Sequence, residues 1–299
     1  MAFSVVLAVL AACSNALGTV LQRRAALIVP ASTSLRLGLL ADLLRTPVWI
    51  AGIVGVTLSA VLQALALASG SLAAVQPVFI LELPLALVIG GMVFHVRRSR
   101  KSWASVACIA VGLAVFLFSL APSGGRAEVP VLWWVPTVVV IGALGTALVL
   151  TASARPFGRA RAACLAAGAA LGNALAAALM KSAMGVLDDQ GAAAFLLSWQ
   201  TYGFAVIGAM SLFLLGAAMQ AGPLIASQPA LTLTDAVTGV VLGVTLYAEQ
   251  PRTGLWNLPA LLGFGLLTYG VFTLSRTRCL AECLNAEEEA PDQAEKAAV

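Results

Sequence analysis

The sequence predicts an all-α protein, a polytopic transmembrane helical bundle of about nine spans arranged as an inverted-topology repeat. Three observations predict it. Apolar runs of membrane-spanning length recur along nearly the whole chain, basic residues fall unevenly between the intervening loops, and one short motif occurs twice. The 299 residues are 61% hydrophobic and 10% charged, with a mean hydropathy of +0.98, far from the usage of soluble domains. A bilayer core of about 30 Å takes roughly 20 apolar residues in a helix. Hydrocarbon gives the backbone no other hydrogen-bond partner, so such runs are expected to be helical. No sizeable soluble domain fits between them.

Reading apolar runs against breakers and charges places spans at residues 2–21, 48–69, 72–94, 103–121, 131–151, 161–181, 199–220, 223–247 and 254–275. The first contains Leu10-Ala11-Ala12-Cys13, which has the look of a lipoprotein cleavage box. No lysine or arginine precedes it, as a signal peptide requires, and the apolar run continues to Leu21. It is therefore read as a retained span. Residues 33–45 carry six leucines but are interrupted by Arg36, Asp42 and Arg45. That segment is too short to cross and reads as an interfacial amphipathic helix, with a re-entrant placement left open.

Lysine and arginine concentrate in cytoplasmic loops. Nine spans put fourteen of them on one side, among them Arg23, Arg24, Arg97, Arg98, Arg155, Arg159 and Arg161, and only Arg126, Lys181 and Arg252 on the other. The N-terminus is thus expected outside, the C-terminus in the cytoplasm, and the chain in a cell (inner) membrane. The same count makes the net charge of +4 a topology signal, and no nucleic-acid module accompanies it. Cys13, Cys108 and Cys164 sit singly in apolar runs and read as free packing residues. Cys279 and Cys283 lack two further ligands for a metal, since His95, the sole histidine, lies in a distant basic loop.

The repeat appears at Ser69-Gly-Ser-Leu-Ala-Ala-Val-Gln-Pro77, which aligns without a gap on Ala221-Gly-Pro-Leu-Ile-Ala-Ser-Gln-Pro229. Asn15-Ala-Leu, followed by Leu21 and Arg23, aligns likewise on Asn173-Ala-Leu, followed by Leu179 and Lys181. Spans one to four and six to nine form the two units, and the odd span between them makes the second enter from the opposite face. The expected division is a first repeat at 1–121, a linker span at 122–160, a second repeat at 161–278 and a disordered acidic tail at 279–299. Inverted repeats mark many secondary transporters, whose sites lie near the midplane on interrupted helices.

Glu82 lies about ten residues, or roughly 15 Å, into span three, and Asp235 stands at matching depth in span eight. A carboxylate at such depth costs about 2.5 to 3.5 kcal/mol in a lone span and therefore faces a partner or a watery path. Glu82 and Asp235 are read as binding a proton or cation in a central cavity, with a simple interhelical bond, such as Glu82 to Gln63, as the plainer alternative. Pro77 and Pro229 each free a carbonyl one turn earlier and are candidate hinges; Pro84 loosens the helix beside Glu82. Gln76, Gln228, Asn15, Asn173, Thr232 and Thr234 are candidates to line the path, or else to bond between helices. Lys181 and Arg23 read as snorkelling, the six tryptophans as interfacial belts, and Asp188 and Asp189 as solvated loop charge. No phosphate-binding loop, no nucleophile with a base and no metal-ligand set appears, so neither an enzyme nor a resident cofactor is expected.

Leu21-Gln-Arg-Arg-Ala ending span one, Trp49-Ile-Ala-Gly opening span two, the 68–77 hairpin, Arg155-Pro-Phe-Gly and Leu179-Met-Lys-Ser-Ala-Met-Gly together resemble the drug/metabolite transporter (EamA-like) superfamily over about residues 1–278. The order and span count are most similar to its NIPA-type branch, which implies magnesium transport. By alignment on the hairpin proline, Ala60 and Gln63 stand where that branch carries an acid and an asparagine, and it carries no acids where Glu82 and Asp235 stand. The implied cargo stays open between a divalent cation, with Glu82 and Asp235 as metal ligands, and a small solute coupled to protons. The implied activity is alternating-access secondary transport, with lipid and cargo as partners. The alternative is a non-transporting assembly or lipid-binding subunit. The small residues from Gly263 to Gly270 suit a homodimer face or packing within the chain equally.

Overall fold

The computed structural model describes residues 2–28, 46–93, 100–126 and 129–276. Residues 33–45, His95, Cys279, Cys283 and the 279–299 tail lie outside the described residues, as does the side chain of Arg23. Ten α-helices follow one another: α1 (Ala2–Ile28), α2 (Pro47–Ser69), α3 (Leu72–Val78), α4 (Glu82–Val93), α5 (Arg100–Leu120), α6 (Val131–Ser153), α7 (Arg159–Leu197), α8 (Trp199–Ala221), α9 (Leu224–Thr245) and α10 (Asn257–Ser275). Short 3₁₀ turns at Phe79–Leu81 and Gly254–Trp256 precede α4 and α10. With α3 and α4 taken as one crossing, nine helices among the described residues are long and apolar enough to span a membrane. The protein is a multi-pass membrane protein, and the expected span limits hold to within a few residues for all but two helices.

The first exception is α1, which runs on to Ile28. The second is α7, predicted to end near residue 181 but continuous to Gly191, where φ of +83° breaks it before its last turn. A residue with a side chain rarely adopts that backbone, and glycine does so freely. The run from Arg159 to that break rises about 48 Å, so α7 overreaches a bilayer core of about 30 Å. Asp188 and Asp189 are exposed on this overhang, solvated as expected, but helical.

Small residues set the packing, as lipid-immersed helices require for close backbone approach. Gly18 of α1 faces Gly52 and Gly55 of α2, with Ser14 Oγ donating to the Gly55 carbonyl at 2.7 Å and Ser59 Oγ to that of Ala11 at 2.7 Å. Gly112 of α5 meets Gly263 and Leu267 of α10, and Gly270 meets Ile109. Gly263 and Gly270 are therefore occupied within the chain, whereas Gly265 has open space around it. Helix α7 lies at the centre, against α6, α8, α9 and α2, while α6 touches little except α7. Trp134 departs from the belt reading: it is buried in the core, edge-on to Trp199 at 5.4 Å.

Candidate functional site

Between α1, α2, α7, α8 and α9, and closed on one side by the Phe79–Leu81 turn and the start of α4, lies a cavity of about 600 Å³. Such a volume falls within the range of small-molecule sites. Glu82 and Asp235 both line it, as do Asn15, Asn173 and Thr232. The two carboxyls also lie within electrostatic reach of each other.

Each acid has its own amide. Asn173 Nδ2 donates to Asp235 Oδ1 at 3.2 Å, and Asn15 stands beside the Glu82 carboxyl. Gln63 lines the same cavity, with Ser59 and Ser211. Local structure fixes these positions. The 3₁₀ turn, which begins directly after Val78 and two positions after Pro77, tightens the backbone just where Phe79 and Ile80 reach the cavity wall, and Glu82 opens the next helix. Among the described residues no lysine, arginine or histidine lines the space, and its ionisable groups are the two carboxyls. The rest of the wall is apolar, including Val56, Met180, Phe204, Leu212 and Leu231.

Other predicted residues lie elsewhere. Gln76 is 1% exposed and sits at the crossing of α3 and α9 against Gly239, outside the cavity, with neither amide atom hydrogen-bonded among the described residues. Gln228 and Thr234 do not line the cavity either; the Gln228 carbonyl accepts from Thr232 Oγ1 at 3.0 Å. Pro77 stands directly before the helical break, whereas α9 runs through Pro229 uninterrupted. The two prolines are not equivalent hinges.

Sequence reasoning missed Glu249 and misread Lys181. Lys181 does not snorkel: its Nζ donates to Glu249 Oε1 at 2.9 Å and to the Gly70 carbonyl at 2.6 Å. Glu249 also accepts from the backbone N–H of Leu72 at 2.7 Å and of Ala73 at 2.9 Å. Ser71 provides no side-chain cap for α3, and the distant carboxylate satisfies two of the orphan donors instead. Tyr247 completes the cluster, its hydroxyl donating to the Ala178 carbonyl at 2.6 Å and its ring lying 4.9 Å from the Lys181 ammonium. The available signal was a lone cation ending span six and a lone carboxylate just past span eight, both assigned to the same face.

No family model matches the chain, and no solved structure matches it. An uncharacterized protein of Corynebacterium glutamicum is 31% identical over 281 residues, covering 91% of this chain and 95% of that one. The chain belongs to that protein's family.

Proposed function

We propose that this protein is a secondary transporter of the drug/metabolite superfamily type, carrying a small positively charged solute across the cell membrane by alternating access. The observation that carries the reading is the cavity with its two acid and amide pairs, Asn15 with Glu82 and Asn173 with Asp235. Carboxylates lining a mostly apolar cavity, with no fixed cationic partner among the described residues, need a mobile one, and a cargo cation or proton supplies it. Apolar walls favour an organic cation over a hydrated magnesium ion, which keeps waters and needs oxygen around it. Among the described residues no three His, Cys, Asp or Glu side chains gather as a metal group.

Helix contacts support the repeat, while the placement of the N-terminus outside rests on the loop charges alone. The pairing of α1 with α2 is echoed by α7 with α8, the contact of α1 with α3 and α4 by α7 with α9, and α5 pairs with its own counterpart α10. In this reading the paired asparagines and paired acids are one site contributed twice, at the repeat interface.

Proteoliposomes holding wild type or Glu82→Gln/Asp235→Asn, with a pH-sensitive dye, a magnesium-sensitive dye and a panel of labelled organic amines, test the reading. Amine flux present in wild type and lost in the double variant is expected. Magnesium entry would reassign the cargo, and a wild type that moves nothing would leave an assembly or lipid-binding subunit.

A further inference from the structure

We propose that α3 is a gate, latched shut at one end of the bundle by Glu249 and Lys181 and hinged at Phe79–Leu81. The inference rests on the transport reading and adds to it the place where the pathway opens.

Three bonds converge on three residues of the α2–α3 hairpin and its first turn, and a fourth joins the residues that hold them. Gly70 is held by Lys181, and Leu72 and Ala73 by Glu249, while Lys181 and Glu249 hold each other. The side chains of the pair are 15% and 1% exposed. The holding residues come from α7 and from the α9–α10 connection, so the latch joins the first half of the chain to the second. That connection is itself anchored: Ser123 and Gln250 form a backbone bridge, and Arg126 N–H donates to the Tyr247 carbonyl at 2.7 Å.

The opposite end of α3 is built to bend. The α-helix ends at Val78, after Pro77, and three residues of 3₁₀ geometry follow before α4 begins. A 3₁₀ stretch inside a helical crossing is a common place for a hinge. Phe79 and Ile80 of this hinge line the cavity, and so does Met180, the neighbour of Lys181. Release of the latch therefore moves a segment that is continuous with the cavity wall. A buried ion pair suits the task, because its separated charges are costly in hydrocarbon and well solvated once water enters. Opening and wetting are thereby coupled.

Spin labels at Ser69→Cys and Asp188→Cys, both exposed positions, read the gate in nanodiscs in a background free of native cysteine. Pulsed dipolar spectroscopy is expected to give one distance population with the latch intact and an added, longer population in Glu249→Gln and in Lys181→Met. Superimposable distributions in folded variants would overturn the gate, as would failure of both variants to fold, which would assign the pair to the fold alone. The distances are measured without flux. Unchanged distances with intact transport sink the gate only; a wild type without transport sinks the transporter only.

Discussion

Lys181 and Glu249, 68 positions apart, form an ion pair at 2.9 Å whose carboxylate is shared with the N-terminus of α3. Removing one member strands the other in a buried site, at a cost of about 3 to 5 kcal/mol. Lys181→Met should accordingly lower the thermal midpoint markedly, and Lys181→Met/Glu249→Gln should recover part of the loss. Thermal unfolding of the two single variants and the double variant checks this. Additive losses would mean that the residues act separately.

The asparagines are expected to serve cargo binding through the acids. Asn173→Leu removes the 3.2 Å bond to Asp235, and Asn15→Leu removes the amide beside Glu82. Hydrogen bonds to charged groups are worth about 1.5 to 3 kcal/mol, so each change should weaken cation binding by roughly tenfold or more. Equilibrium binding of a labelled amine in detergent measures it, and the two variants should be affected alike.

Close packing of α3 on α9 depends on Gly239. A methyl group there would stand 2.5 Å from Gln76 Cβ, and overpacking of this kind costs about 1 to 3 kcal/mol. Gly239→Ala should lower the thermal midpoint, whereas Gly265→Ala, with open space around it, should leave it unchanged.

Gln76 gives the opposite expectation. Its amide is buried without a hydrogen bond among the described residues, and an unsatisfied buried polar group costs about 1 to 3 kcal/mol. Gln76→Leu should hold or raise the thermal midpoint. A lower midpoint together with lost flux would show that the amide serves a partner present only during transport.

Much of the bundle was legible because lipid leaves so few choices. Hydropathy alone located the crossings, depth along the helix singled out Glu82 and Asp235, and the repeated Asn-Ala-Leu singled out Asn15 and Asn173, all four of which line one cavity. Chain direction around the cavity was not legible in the same way. Gln76 and Gln228 share the motif that flagged them but stand at other angles, and hydropathy carries no angular signal when every helix face is apolar. Glu249 escaped for a different reason. Its partners are backbone N–H groups of a helix 176 and 177 positions away, and backbone groups leave no mark on residue type. Trp134 shows that an aromatic near a span end turns inward when a neighbouring helix offers an edge-on ring.

The overhang of α7 has a practical consequence. The described residues of this 30.5 kDa protein lie mostly in helices of membrane-crossing length, and such helices, hidden by a detergent belt, give electron microscopy little to align. The last turns before Gly191 rise clear of that belt on a helix continuous with the cavity wall, and carry the exposed acids Asp188 and Asp189. An antibody fragment raised to that tip would give each particle a rigid handle, and any tilt of α7 during the transport cycle would appear magnified in the fragment's orientation.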